Sequence, residues 1–202
     1  MKKYQKYAIA LALLIGGVLL VPTTIIKGEE GKSGPAIGAT IANFSLADAN
    51  GVEKTLGLLK GSNGTVIIFI SAKCPVVKGY NERMEKLATD YAARGIKVIG
   101  INSNSTESAD DMKAHAADNK LSFVMLQDKG NKIADKLGAS VTPEVFLLDA
   151  NNKLVYHGRI DNSRSGTNIE SNDLRDAMDA MLSGKPITKT QADAFGCSIK
   201  RA

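Results

Sequence analysis

Two cysteines, Cys74 and Cys197, are the residues best suited to chemistry in this sequence. They are too few for a disulfide-rich scaffold or for a zinc site built from cysteine alone, and enough for one redox pair. Cys74 lies in the run Ser71-Ala72-Lys73-Cys74-Pro75-Val76-Val77-Lys78. A proline suited to the first helical position comes directly after it. Its sulfur is therefore expected where unpaired backbone N–H groups and the positive end of a helix dipole converge. Thiolate is favoured there, and Lys73 and Lys78 flank the site, so a pKa below the free-cysteine value of about 8.5 is expected. The alternative is an inert, buried cysteine at a strand end. Open α/β sheets place their sites at helix N-termini that come after parallel strands, which favours the reactive reading. Far along the chain, Val141-Thr142-Pro143-Glu144 directly precedes another apolar run.

The elements that must position these residues are legible from periodicity. Residues 65–70 are a continuous apolar, β-branched run of the buried-strand type. After Cys74, the residues Val77, Tyr80, Met84, Leu87, Ala88 and Tyr91 recur at three- and four-residue spacing, which predicts an amphipathic helix ending near Arg94-Gly95. Next come a strand at 96–101, a polar loop at 102–106 and a helix over 108–119. Residues 123–126 predict a short strand, 132–137 a short helix and 145–148 another buried strand. The turn Asp149-Ala150-Asn151-Asn152 leads into a strand at 153–160, so two antiparallel strands are expected at one sheet edge. Leu174, Ala177, Met178, Met181 and Leu182 mark a last helix, stopped by Gly184 and Pro186. This order predicts an α/β fold, a mixed central sheet with helices on both faces.

Composition bounds the partners. The chain has 202 residues, 44% hydrophobic and 23% charged, as in a globular protein of one domain with an extension. Its net charge of +5 falls to about +2 once Lys2, Lys3 and Lys6 are set aside, too little for a nucleic-acid surface. After those lysines, residues 8–21 are strictly apolar, and the uncharged stretch runs to Ile26. Either a signal peptide or a membrane-spanning anchor exports the rest of the chain, and the lysines place the N-terminus inside. No small-x-small cleavage site closes the segment, which favours an uncleaved anchor. The expected organisation is an anchor or signal over 1–27, a linker over 28–36 and one domain over 37–202. The expected location is the exported, extracytoplasmic side of the inner membrane.

Cys74 together with Thr142-Pro143 resembles the thioredoxin superfamily, in which a reactive cysteine at a helix start faces a cis-proline preceded by a Thr-like residue. Phe44-Ser45-Leu46 and the Gly51 turn are similar to the N-terminal strands of its alkyl hydroperoxide reductase/thiol-specific antioxidant, or redoxin, branch. The 156–161 segment and the tail Gly196-Cys197-Ser198-Ile199-Lys200 resemble the peroxiredoxin-like subgroup. The resemblance implies a thioredoxin-like fold and thiol-disulfide exchange. Cys74 is then the catalytic nucleophile, Cys197 a candidate resolving cysteine, and Pro75, Thr142 and Pro143 the substrate platform. Ser71, Lys73, Lys78 and Arg159 are candidate supports. No cofactor is implied, and the expected partner is a thiol- or disulfide-containing protein or a small thiol donor.

Departures from the family pattern narrow the chemistry. Cys74-Pro75-Val76-Val77 lacks the second cysteine of Cys-x-x-Cys, so no disulfide can form within the motif. In the peroxiredoxin frame Pro-x-x-x-Thr/Ser-x-x-Cys, Ser71 supplies the hydroxyl but Ile67 stands where proline belongs, which leaves a weak peroxidase as an alternative. His115 and His157 have no ligand spacing to Cys74, and Lys78 replaces the second cysteine of copper-delivering relatives, so no metal site is expected. A chain end can reach back across a domain of this size, and three readings of Cys197 stand open. It resolves a mixed disulfide on Cys74, pins the tail as a structural disulfide in an oxidising compartment, or stays free or intermolecular, and a locked Cys74–Cys197 pair leaves a non-catalytic binding module as the alternative function. Asp48, Asp110, Asp111 and Asp149 read as caps and turns. Arg159 and Asp161 read first as an ion pair holding the edge strand to a loop, with a place facing the site as the alternative.

Overall fold

The fold is seen in a computed structural model that describes residues 34–201. The proposed anchor over 1–27 and residues 28–33 of the proposed linker lie outside the described residues. Among the described residues, no helix is long and apolar enough to cross a membrane.

The apolar run ahead of Cys74 forms β3 (Gly64–Phe69), buried along its whole length. Ahead of it come β1 (Ser45–Asp48), β2 (Glu53–Thr55) and the short helix α1 (Leu56–Leu59). The β1–β2 turn is built by Asp48, whose carboxylate accepts the Asn50 and Val52 N–H groups, and by Gly51, whose φ of 80° favours glycine. After β3 come α2 (Pro75–Ala92), β4 (Ile96–Asn102), α3 (Ala109–Asp118), β5 (Val124–Gln127) and α4 (Lys132–Leu137). The chain continues through β6 (Val141–Thr142), β7 (Glu144–Asp149), β8 (Leu154–Gly158), α5 (Asp173–Leu182) and β9 (Cys197–Ser198).

Seven strands make one mixed sheet in the order β2-β1-β5-β4-β3-β7-β8, with β3, β4 and β5 parallel. The expected antiparallel pair at one edge is β7–β8. Alternation along β3 sorts the core. Val66, Ile68 and Ile70 face α2 and α5 together with Tyr80, Met84, Leu87, Leu174 and Met178, whereas Ile67 and Phe69 pack with Ile133, Leu137 and Phe146 on the other face. A slip of one residue in β3 would exchange those two sets, so burial on both faces fixes its register.

A second, two-stranded sheet pairs β6 with β9 in antiparallel register, Val141 opposite Ser198 and Thr142 opposite Cys197. The C-terminal tail thereby lies beside the segment that enters β7. The tail continues through Ile199, which is 5% exposed and whose N–H donates to the Ser140 carbonyl. Arg201 closes the run by donating to the Ala139 carbonyl and pairing with Asp135.

Candidate active site

The sheet delivers Cys74 to the helix start expected from its Cys-Pro pair. Cys74 is the N-cap of α2, makes no side-chain capping bond, and is followed by Pro75 at the first helical turn. The first turn of α2 holds no acidic residue, so its amide dipoles act on the sulfur without a competing anion. Cys74 is 2% exposed, and its sulfur is bonded to Cys197 across a sequence separation of 123 residues, with the two Cα atoms 5.9 Å apart. Cys197 is only partly buried. The Thr142-Pro143 peptide is cis, and the Thr142 carbonyl oxygen lies 3.4 Å from the Cys74 sulfur. Cys74, Thr142, Pro143 and Cys197 are thus brought together.

The platform itself is covered. Thr142 is 1% exposed and Pro143 is buried, and the Thr142 hydroxyl is 3.4 Å from the Cys197 carbonyl oxygen, which accepts from it. Glu144, 4% exposed, accepts the N–H groups of Ser140 and Val141 at 2.8 and 3.1 Å. Its other oxygen sits 2.6 Å from His157 Nε2, and the His157 ring stacks on Phe146. Gly196 passes so close to the Thr142 carbonyl that a Cβ there would overlap it. Just upstream, the Phe195 ring rests against Tyr80 of α2, and the Arg164 guanidinium lies 5.2 Å from its centre.

Three of the four proposed supports have other partners. Ser71 is buried, and its hydroxyl donates to Glu107 rather than standing free beside the sulfur. Lys73 is directed to Asp111 at 3.0 Å and to the Thr106 carbonyl at 3.2 Å. Asp111 is held at a pKa of about 2, first by the backbone N–H of Ser108 and then by Lys73, so the lysine charge is largely matched by a carboxylate. Lys78 is exposed one turn into α2, and Pro75 is exposed at its start. Arg159 and Asp161 do not pair with each other. Arg159 binds Asp173 at 2.6 Å, and Asp161 accepts from Arg83 and from the Tyr80 hydroxyl. Burial, and then the Asp161 charge, raise the Tyr80 pKa, so its hydroxyl stays protonated as a donor. Arg83 also donates to the Ser163 and Arg164 carbonyls, which ties the 162–172 loop to α2.

One contributor escaped sequence reasoning. Glu107, 6% exposed, accepts from Ser71, from the Ala72 N–H at 2.7 Å and from the Asn102 amide, so a buried carboxylate holds the loop that presents Cys74. The only signal for it was an acidic residue just after the carboxyl end of a central parallel strand. A cavity of about 580 Å³ lies on the tail side of β6, walled by Val141, Glu144, His157, Arg159, Lys189 and Gln191 among others. Among the described residues, no group of His, Cys, Asp and Glu side chains is arranged to hold a metal ion. A disulfide that joins a partly buried Cys197 to Cys74 at a helix N-terminus offers the chemistry of exchange with thiols.

Comparison with known proteins places this geometry. Residues 37–157 match the model of the AhpC/TSA family. The chain is 29% identical over 156 residues to the thiol-disulfide oxidoreductase ResA of Halalkalibacterium halodurans, covering 77% of this chain and 87% of that protein. It is 30% identical over 135 residues to the chloroplastic peroxiredoxin Q of Sedum lineare, covering 60% of this chain and 69% of that one. A solved structure of a hypothetical protein from Sinorhizobium meliloti 1021 superposes with a TM-score of 0.78 at 37% identity, over 84% of this chain and 97% of the other. With a mixed sheet, a cysteine at a helix start and a cis-proline opposite it, the fold is thioredoxin-like and the chain belongs to the AhpC/TSA family.

Proposed function

We propose that this chain is a thiol-disulfide oxidoreductase whose redox couple is Cys74 and Cys197. The observation that carries the reading is their disulfide, which joins a cysteine at the N-terminus of α2 to one on the tail beside the cis-proline. Its two sulfurs are placed unequally, and the helix terminus stabilises the thiolate that leaves when the bond opens. Similarity to ResA supports the same reading. The apolar segment at 8–26 supports an exported protein held at a membrane, working on the extracytoplasmic side.

The test uses the reduced full-length chain and a small disulfide. One equivalent should be reduced per protein, and Cys74→Ser and Cys197→Ser should each abolish the full cycle. Similarity to peroxiredoxin Q makes peroxide reduction the second reading. Against it, the Ser71 hydroxyl is spent on Glu107. Hydrogen peroxide should therefore be consumed only slowly, and fast turnover lost in Cys74→Ser would reverse the ranking. Inertness toward both substrates would leave a binding module stapled by its disulfide. Fractionation of full-length protein with membranes checks the anchor, and a processed N-terminus just after residue 26 would count against it.

A further inference from the structure

We infer that the partners of this disulfide are low-molecular-weight thiols and disulfides rather than extended polypeptides, and that they meet the protein at the sulfur of Cys197. The inference rests on the exchange reading above and narrows its substrate class.

An extended polypeptide needs a free strand edge beside the cysteine, where main-chain hydrogen bonds supply affinity. The edge beside Cys74 is β6, and the chain's own tail already occupies it through the Val141–Ser198 and Thr142–Cys197 pairs. The N–H groups of Ser140 and Val141 are taken by Glu144, and the Ser140 carbonyl accepts from Ile199. The tail is fastened on both sides of Cys197. Upstream, Phe195 lies between Tyr80 and Arg164. Downstream, Ile199 is buried, the Lys200 N–H donates to Asn104, and Arg201 binds Asp135 and the Ala139 carbonyl. None of these contacts runs through the disulfide, so β9 is expected to stay in place in the reduced protein.

Exchange proceeds in line, with the attacking thiolate opposite the leaving sulfur, and its rate depends on access and on the acidity of the leaving thiol. Attack on Cys74 would have to come through the core, where that residue is 2% exposed among Val77, Tyr80 and their neighbours. Attack on the partly exposed Cys197 expels Cys74 as a thiolate at a helix N-terminus, so access and leaving group favour the same direction. The thiolate RS⁻ forms RS–S–Cys197 and releases Cys74–S⁻. A second RS⁻ then attacks the R sulfur, giving RS–SR and Cys197–S⁻, so two thiols are oxidised as one protein disulfide is reduced. This order makes Cys197 the outward sulfur and Cys74 the inner one, the reverse of the sequence expectation.

The experiment compares two reductants of the oxidised full-length chain, glutathione and an unstructured twelve-residue peptide with one central cysteine, at equal thiolate concentration. Glutathione should react at least about tenfold faster, and acid-quenched mass mapping should find its adduct on Cys197. Gly196→Val, whose side chain overlaps the Thr142 carbonyl, should loosen β9 and bring the two rates together, and Phe195→Ala should move the ratio the same way with less disturbance. A peptide that reacts as fast as glutathione with the unaltered protein, or an adduct found on Cys74, overturns the inference while leaving the exchange reading intact. Failure of both thiols to react defeats the exchange reading, and this inference falls with it.

Discussion

At Cys74 two opposing influences act on one sulfur. The N-terminus of α2 favours thiolate, while 2% exposure among apolar neighbours and the Thr142 carbonyl oxygen 3.4 Å away together favour the neutral thiol. Lys73 adds little because Asp111 holds it. The helix is expected to win, since the sulfur sits at the N-cap with no capping bond of its own to satisfy the free N–H groups. In reduced Cys197→Ser, thiolate absorbance should therefore rise with a midpoint below about 8.5. A midpoint above that value would show burial to be the larger effect. Glu107 gives a second prediction at this scale. Glu107→Ala leaves the Ala72 N–H and the Asn102 amide without their acceptor, and should cost about 2–3 kcal/mol in urea unfolding. Cys74 was legible because a Cys-Pro pair at a strand-to-helix junction has few uses. Glu107 was not, because its importance comes from three donors that only the folded loop assembles.

Among the elements, those long enough to show a period were readable. The α4 helix falls on residues 132–137 as expected, and α3 carries the predicted start at Ser108 with a capping box to Asp111. The two-residue strands β6 and β9 could not be read, since alternation needs more positions than they have, and their pairing joins residues more than fifty apart. The joint between β8, α5 and the tail was likewise hidden. Asp173, in the first turn of α5, is 4% exposed and receives Arg159, Lys189 and Ser171, each at 2.6 Å. Burial alone would raise its pKa, but those three donors lower it to about 2 from the ordinary 3.8. A carboxylate whose folded pKa is depressed contributes its full share above pH 4, and the contribution is lost as pH falls from about 4 toward 2. Asp173 should account for roughly 2 kcal/mol of that loss. Acid unfolding of Asp173→Asn should accordingly be flatter in this window than that of the unaltered chain. Equal slopes would show that the three donors do not stabilise the charged form.

Across the whole molecule, the disulfide and the tail contacts hold the same segment by different means, and they can be separated. The bond closes a separation of 123 residues, for which chain entropy gives a stabilisation of up to about 5 kcal/mol, with 2–4 kcal/mol typical. Burial of Ile199 contributes on the order of 2 kcal/mol. Reduction alone should therefore lower stability by about 2–5 kcal/mol, equivalent to roughly 10 °C in melting temperature for a domain of this size. The reduced protein should still melt cooperatively with Ile199 and Arg201 in place. Arg201→Ala in the oxidised chain should cost much less, because its pair with Asp135 is partly exposed and only its bond to the Ala139 carbonyl is shielded. If the tail stays docked by its own contacts, protection of the Ile199 amide from hydrogen exchange should survive reduction and fall only modestly. Complete loss of that protection on reduction, with the rest of the sheet still protected, would mean that the disulfide alone retains the tail and that β6 opens whenever the couple is reduced.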